Sequence, residues 1–263
     1  MPAETSSPAV SASAAQPRLS VVIITKNESR HIGACLDSAA FADERIVLDS
    51  GSVDDTCEIA RKHGAVVHVT PDWPGFGPQK NRALDLATGD WVLSLDADER
   101  VPAELAEEIL RVLRAPQARA YRMARSSEVM GRPMRHGGWW PDYVLRLFRR
   151  DSARFSDDVV HEAVRAEGEI GTLQGHLQHY AYDSIDAMLV KMNRYSSDGA
   201  QMMLQRGKRT TLPGVVGHGV WTFIRMYVLR RGFLDGWQGF VVASTGAGGS
   251  FFRYLKLLAL QKK

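Results

Sequence analysis

The sequence predicts an α/β fold, a doubly wound and mostly parallel sheet with helices on both faces, followed by a C-terminal helical segment suited to a membrane interface. Three observations lead there. Short apolar or β-branched runs alternate with helix-length segments from Leu19 to about Arg100, the pattern of successive βα units. Several of these runs stop on polar residues, Thr25, Asp49 and Asp96, at the carboxyl ends of strands where open α/β sheets bind ligands. Beyond Arg206 the chain turns basic and aromatic at helical spacing.

Taken in order, LSVVIIT from Leu19 to Thr25 reads as the first central strand, being β-branched and too short for a helix. Asn27 to Ala40 follows as a helix with Ile32, Cys35, Leu36 and Ala39 on one face. Ile46, Val47 and Leu48 make a second strand ending on Asp49, and Ser52 with Asp55 three residues later marks a helix start. Ala65 to Val69 is the third strand. Pro78 suits the first turn of a helix running to Ala87. Trp91, Val92, Leu93 and Leu95 then form a strand buried on both faces, entered through the turn Thr88, Gly89, Asp90. Later, Ala120 to Ala124 and Tyr143 to Phe148 read as strands, and Ile185 to Gln205 as a long helix with a core-facing stripe that includes Met188 and Met192.

With 263 residues, 44% hydrophobic and 24% charged, the chain can bury a full core. Residues 1–17, rich in Ala, Ser and Pro, read as a disordered tail and not a signal peptide. Residues 18–208 form the α/β domain in this reading, with a first half to 110 and a second from 111, and 209–263 form the basic amphipathic segment. Cys35 and Cys57 have no metal-type spacing and fit reduced structural thiols of a cytosolic protein. The net charge of +3 conceals an asymmetry: from Arg206 onward ten Lys or Arg face one acid, Asp235, so the tail is about +9 and the body about −6. An acidic body without a recognition motif argues against nucleic acid, while the tail suits a surface that lies on anionic lipid without crossing it.

Asp96 and Asp98, separated by Ala97, would repel each other at a strand end unless a cation lies near. Oxygen ligands of this kind suit Mg²⁺ or Mn²⁺ bound together with phosphate oxygens and water. The competing reading is a solvated turn, because Asp98, Glu99 and Pro102 also fit a helix start. The segment after the first strand, TKNESR, has no glycine, so the dinucleotide fingerprint is absent, and no Walker A sequence occurs. A nucleotide at this edge would be held by Thr25, Asp49 and Ser50 with Lys80 and Asn81, although Asp49 and Ser50 also suit a plain turn. Gly137 and Gly138 before Trp139 and Trp140 make a flexible aromatic loop fit for a sugar ring. Arg146, Arg149 and Arg150 are candidates for acceptor phosphates.

Strand one with Thr25, Asp49 in LDSGSVDDT, Lys80 with Asn81, and Asp96, Ala97, Asp98 in this order resemble the nucleotide-sugar half of the family 2 glycosyltransferases, which have the GT-A fold. The later segments HGGWWPDYVLRLFRR, DDVVHE, LQHYAY and RGFLDGWQGF resemble the lipopolysaccharide core glycosyltransferases of that family, of the heptose β-1,4-glucosyltransferase type. Many members carry two consecutive aspartates where this chain has Asp49 and Ser50. The resemblance implies that Asp49 contacts the nucleoside, Thr25 lines its pocket, and Lys80 lies near base or phosphate. It further implies a metal on Asp98 assisted by Asp96, with His179 as a further ligand, or else a structural histidine. A carboxylate base is implied near the acceptor, with Glu162 as best match and Asp157 and Asp158 as rivals.

The expected function is inverting, metal-dependent transfer of a hexose from a nucleoside diphosphate sugar, UDP-glucose by resemblance, to a glycolipid of the lipopolysaccharide inner core. Such an enzyme would sit peripherally on the cytoplasmic face of the inner membrane. A sugar nucleotidyltransferase is the alternative enzyme, which TKNESR disfavours for want of a glycine-rich basic loop. A membrane-associated scaffold with a degenerate nucleotide site is the non-catalytic alternative.

Overall fold

The computed structural model describes residues 16–156 and 164–262. Its first half runs β1 (Leu19–Thr25), α1 (Ile32–Ser38), β2 (Glu44–Asp49), α2 (Thr56–Lys62), β3 (Val66–Val69), α3 (Phe76–Asp85) and β4 (Trp91–Asp96). Then follow β5 (Glu99–Arg100), α4 (Ala103–Arg114), β6 (Ala120–Val129), β7 (Arg132–Pro133), β8 (Asp142–Arg149), β9 (Ala153–Phe155), β10 (Val164–Ala166) and β11 (Ile170–Tyr182). The chain closes with α5 (Ile185–Gln205), α6 (Leu212–Phe223) and α7 (Gly236–Leu260).

The main sheet has the order β3-β2-β1-β4-β8-β6-β11-β5, with β7 added to β6. Strands β1 to β4 are mutually parallel, β8 runs antiparallel to β4 and β6, and β11 is again parallel to β6. The predicted doubly wound sheet is therefore present, parallel through β1 to β4 and mixed beyond them. Register places the polar strand ends level: Thr25 lies opposite Asp49, and Ile24 opposite Asp96.

The core has two layers because β1 is apolar on both faces. Val21 and Ile23 pack under α1 and α4, while Val22 and Ile24 face α3 and β9, following the two-residue alternation of a strand. Trp91 is fully buried at the start of β4, with the Arg149 guanidinium 5.2 Å from its ring centroid.

Two differences from the sequence reading have physical causes. The helix expected from Asn27 starts at Ile32, because Asn27 is left-handed (φ 56°) and its side chain accepts the Val53 N–H at 2.9 Å. Ser29 N–H likewise donates to Asp54, so 27–29 form a turn tied to the loop after β2. Strand β11 has no obvious signal, since glycine and polar residues interrupt it. Leu173, Leu177 and Ala181 still share its buried face. The expected C-terminal helical segment is present, and α7 runs through its glycine- and serine-rich stretch. Tertiary packing overrides propensity there: a Cβ on Gly249 would lie 3.2 Å from Met192 of α5, and one on Gly246 only 2.7 Å from the Met226 sulfur.

The turn into β4 is equally tight. A Cβ on Gly89 would fall 2.8 Å from the Arg18 carbonyl oxygen and 2.9 Å from the Ser20 nitrogen, both backbone atoms. Gly89→Ala is expected to lower stability by about 1–3 kcal/mol in urea denaturation. An unchanged midpoint would show that the turn yields freely.

Candidate active site at the carboxyl edge of the sheet

The end of β4 meets a line of alternating charges. Lys80, from α3, reaches Asp96 Oδ1 at 3.0 Å, and Arg146, from β8, holds Asp96 Oδ2. The same Arg146 Nη2 donates to Glu99 Oε1 at 2.6 Å, while Glu99 Oε2 accepts the Asp96 backbone N–H at 2.9 Å. Arg125 of β6 follows, 3.3 Å from Glu99 and 2.7 Å from Asp142. Glu99 is wholly buried and Arg146 is 6% exposed. Burial alone would raise the Asp96 pKa, but Arg146 and Lys80 overcome it and hold the carboxyl well below the usual range. Burial would likewise lower the Arg146 pKa; Asp96 and Glu99 outweigh it and drive it upward. The series Lys80, Asp96, Arg146, Glu99, Arg125, Asp142 thus carries three charges of each sign.

That network bears on two expectations. Asp96, expected beside Asp98 as a metal ligand, is engaged here by two cationic side chains. Arg146 binds these carboxylates instead of acceptor phosphates, while Arg149 stacks on Trp91 and Arg150 Nε donates to the Gly89 carbonyl at 3.0 Å.

Asp98 faces His179 of β11, its Oδ2 3.5 Å from Nε2, and Ser127 Oγ lies 2.9 Å from the other ring nitrogen. The Tyr180 N–H donates to the Asp98 carbonyl, fixing the strand against this turn. Burial opposes the charge on Asp98, yet the bond to His179 prevails and its pKa is lowered, so it stands as a carboxylate. Two donors on one Mg²⁺, each at about 2.1 Å, lie about 3 Å apart when adjacent, so Asp98 and His179 can meet a common ion with little movement. Two protein ligands leave the remaining positions to phosphate oxygens and water. Among the described residues no group of three His, Cys, Asp or Glu side chains gathers for a metal.

Around the expected nucleotide pocket, Thr25 Oγ1 is buried and has no hydrogen-bond partner among the described residues, so it is free to meet a ligand's polar atom. Asp49 Oδ1 accepts the N–H groups of Gly51 and Ser52, the turn role open from the sequence, and Gln79 donates to Ser50 Oγ at 3.1 Å. Asn81 points elsewhere: its amide exchanges two 2.9 Å bonds with the Phe155 backbone and anchors β9.

The aromatic loop lies against β11, with Trp139 6.4 Å from Tyr182 and Trp140 5.8 Å from His176 between ring centroids. Trp139 borders a cavity of about 200 Å³ shared with Tyr182, Tyr195, Met188, Met192 and Arg253. Trp140 lies beneath the Arg135 guanidinium at 4.5 Å, and Gly138 adopts φ 90°, where a Cβ would strike Arg230. Glu162, Asp158 and Asp157, the base candidates, lie outside the described residues.

Two acids of the site escape sequence inspection. Glu99 was read only as part of a helix start. Glu28, in TKNESR, has its pKa pushed up to about 7, chiefly by burial and then by Asp98, with Lys191 opposing.

A parallel nucleotide-type half, a mixed second half and an acidic turn at the β4 edge define a GT-A type glycosyltransferase. The chain belongs to glycosyl transferase family 2, whose model matches residues 20–166. An uncharacterized glycosyltransferase of Rickettsia prowazekii is 32% identical over 94% of this chain and 88% of that protein. The lipopolysaccharide core biosynthesis glycosyltransferase LpsC of Rhizobium meliloti is 30% identical over 91% of each. Among solved structures, glucosyl-3-phosphoglycerate synthase from Mycobacterium tuberculosis, in complex with Mn²⁺, UDP and glucosyl-3-phosphoglycerate, matches 43% of this chain and 45% of that one, with 31% identity and a TM-score of 0.37. The chain is therefore an enzyme of the glycosyltransferase class, which removes the nucleotidyltransferase and scaffold alternatives.

Arg146→Ala is expected to destabilise the fold by about 3–5 kcal/mol in urea, since Asp96 and Glu99 would lose their shared cation inside the protein. Glu28 supplies a pH test. Its folded pKa exceeds the usual 4.5, so the fold binds its proton more tightly than the unfolded chain does. That contribution is complete below about pH 4.5 and is lost as pH rises through 7. The fall in melting temperature over this window should be smaller in Glu28→Gln, and an identical profile would exclude Glu28 as its source.

Proposed function

We propose that this enzyme transfers a hexose, with inversion, from a nucleoside diphosphate sugar to a hydroxyl of a glycolipid acceptor in lipopolysaccharide core assembly. The single observation carrying the reading is the pairing of anionic Asp98 with His179 at the strand edge that also holds the unpartnered hydroxyl of Thr25. UDP-glucose is the donor favoured by the family resemblance, and the name of the Rhizobium meliloti relative supports a core acceptor.

Asp98 and His179 would hold Mg²⁺ or Mn²⁺, which when bound supplies positive charge against the departing diphosphate. The chain's own groups do the rest. Ser127 orients the His179 ring, so that one nitrogen faces Asp98. Asp96, balanced by Lys80 and Arg146, keeps the β4 end rigid and places Lys80 at the pocket's rim. Thr25 offers its hydroxyl to the nucleoside. Trp139 and Trp140 present aromatic faces to the acceptor sugar. Glu162, with Asp158 and Asp157 as alternatives, takes the acceptor proton as the hydroxyl attacks the anomeric carbon. A single displacement inverts that centre, and positioning supplies most of the rate gain. The enzyme works peripherally at the cytoplasmic leaflet of the inner membrane, where such an acceptor is anchored.

Release of UDP from UDP-glucose with Mg²⁺ and a heptose-terminated core glycolipid tests the reading. Asp98→Asn is expected to fold normally and lose about 100-fold or more in kcat, several kcal/mol of charge stabilisation. Retained turnover at saturating metal would remove the metal role. Glu162→Gln is expected to depress kcat with the donor KM little changed, and an undiminished rate would transfer the base to Asp158 or Asp157.

A further inference from the structure

Glycosyl transfer at the sheet edge makes no use of the apolar surface that α6 and the turns after it leave uncovered. Leu212, Val216, Val220, Ile224 and Val228 recur every four residues, and all are exposed. They run along α6 and the single π-helical segment Ile224–Leu229 that continues it. The opposite side is the packed one, for Val215 and Gly219 are buried and a Cβ on Gly219 would lie 3.1 Å from Phe251 of α7. Beside the stripe stands Trp221, 55% exposed. Aromatic contacts extend the surface into the start of α7: Tyr227 lies 6.2 Å from Phe233 and 5.7 Å from Phe240, and Trp237 next to them is 57% exposed.

Charge identifies the occupant. Arg225, Arg230 and Arg231 are exposed along this surface, and ten Lys or Arg lie between Arg206 and the end of the sequence. The only acid in that stretch, Asp235, is 2% exposed and turned inward. An apolar face that carries three exposed arginines, in a segment whose one acid is buried, fits an anionic lipid surface; a second copy would bring like charges together. No helix among the described residues is long and apolar enough to cross a membrane, so the face would lie in the interface.

Asp235 also explains how such a face serves the reaction. Its Oδ2 accepts the backbone N–H groups of Arg135 and His136, and its Oδ1 lies 2.8 Å from the His136 ring. The Gly137 N–H donates to the Arg230 carbonyl at 2.9 Å, and Arg132 to that of Leu234 at 3.2 Å. The loop bearing Trp139 and Trp140 is thus fastened to the exposed face by five hydrogen bonds.

We propose that the surface from Leu212 to Phe240 seats on an anionic lipid bilayer and carries the Trp139–Trp140 loop with it to the lipid headgroups. Docking stands by itself, whereas delivery of the loop to an acceptor rests on the glycolipid reading above.

The full chain mixed with phosphatidylglycerol vesicles, or with phosphatidylcholine vesicles as control, tests it by co-sedimentation. The wild type is expected to bind the anionic vesicles at least tenfold more tightly. Trp221→Asp combined with Trp237→Asp should abolish that difference and leave the melting temperature unchanged. Equal binding to both vesicles, or wild-type binding by the double variant, would overturn the proposal. So would a lipid-free dimer that the same substitutions dissolve, which would assign the face to a second copy. For the loop, Trp221→Phe with Trp237→Phe should retain fluorescence quenching by lipids brominated near the glycerol end. Adding Trp139→Phe and Trp140→Phe should remove it, and persistence of the quenching would refute the loop's descent. Vesicle binding without thermal stabilisation by UDP-glucose and Mg²⁺ would support the docking face and count against the donor assignment alone.

Discussion

The constraint on which this structure depends is charge balance inside the sheet. Glu99 has no exposed surface and no water to solvate it, and Asp96, still 32% exposed, is held between Lys80 and Arg146. Each is tolerable only because a cation from another element reaches it. Lys80 comes from α3, Arg146 from β8 and Arg125 from β6, so the series ties the nucleotide half to the acceptor half across the β4–β8 junction. Hydrophobic burial holds the two layers together but is indifferent to small shifts between strands. A buried ion series is not indifferent, because sliding β8 by one residue would leave a charge unpaired. The position of Asp98, two residues beyond Asp96, is therefore fixed by side chains from α3 and β8.

The second half of the chain obeys a different logic. Around α7, small residues replace large ones so that helices can approach closely, and Met188, Met192 and Met226 fill the irregular spaces that remain. The outer face keeps its large side chains. An ordinary soluble domain would reverse that arrangement, with bulk inside and small or polar groups outside. The inversion is local, since the sheet and its flanking helices follow the usual rule.

Much of the architecture was legible in the sequence where one physical signal dominated. The β-branched run at β1, the apolar run at β4 and the long stripe of α5 each had no competing pattern. Thr25, Asp49 and Asp96 were found for the same reason, since strand ends locate themselves once the strands are known. Legibility failed where partners are distant in the chain. Nothing near Asp96 announces that Arg146, fifty residues later, will pair with it. Glu99 looked like a helix start for want of any sign that β11 would cover it. Glu28 acquires its character only through burial beside Asp98. Asn81 fits a phosphate-binding helix start by letter, and only the fold shows its amide turned to β9.

Asn81 and Lys80 are neighbours on α3, and that adjacency has a mechanical meaning. Lys80 grips the β4 end, while Asn81 grips Phe155, the last residue of β9. Phe155 in turn pairs with Val164, so the stretch carrying Glu162, Asp158 and Asp157 leaves and rejoins the framework at one footing. A single helical step thereby sets the spacing between the β4 end and the foot of the β9–β10 pair. Lengthening α3 by one residue between these two would break one of the two grips.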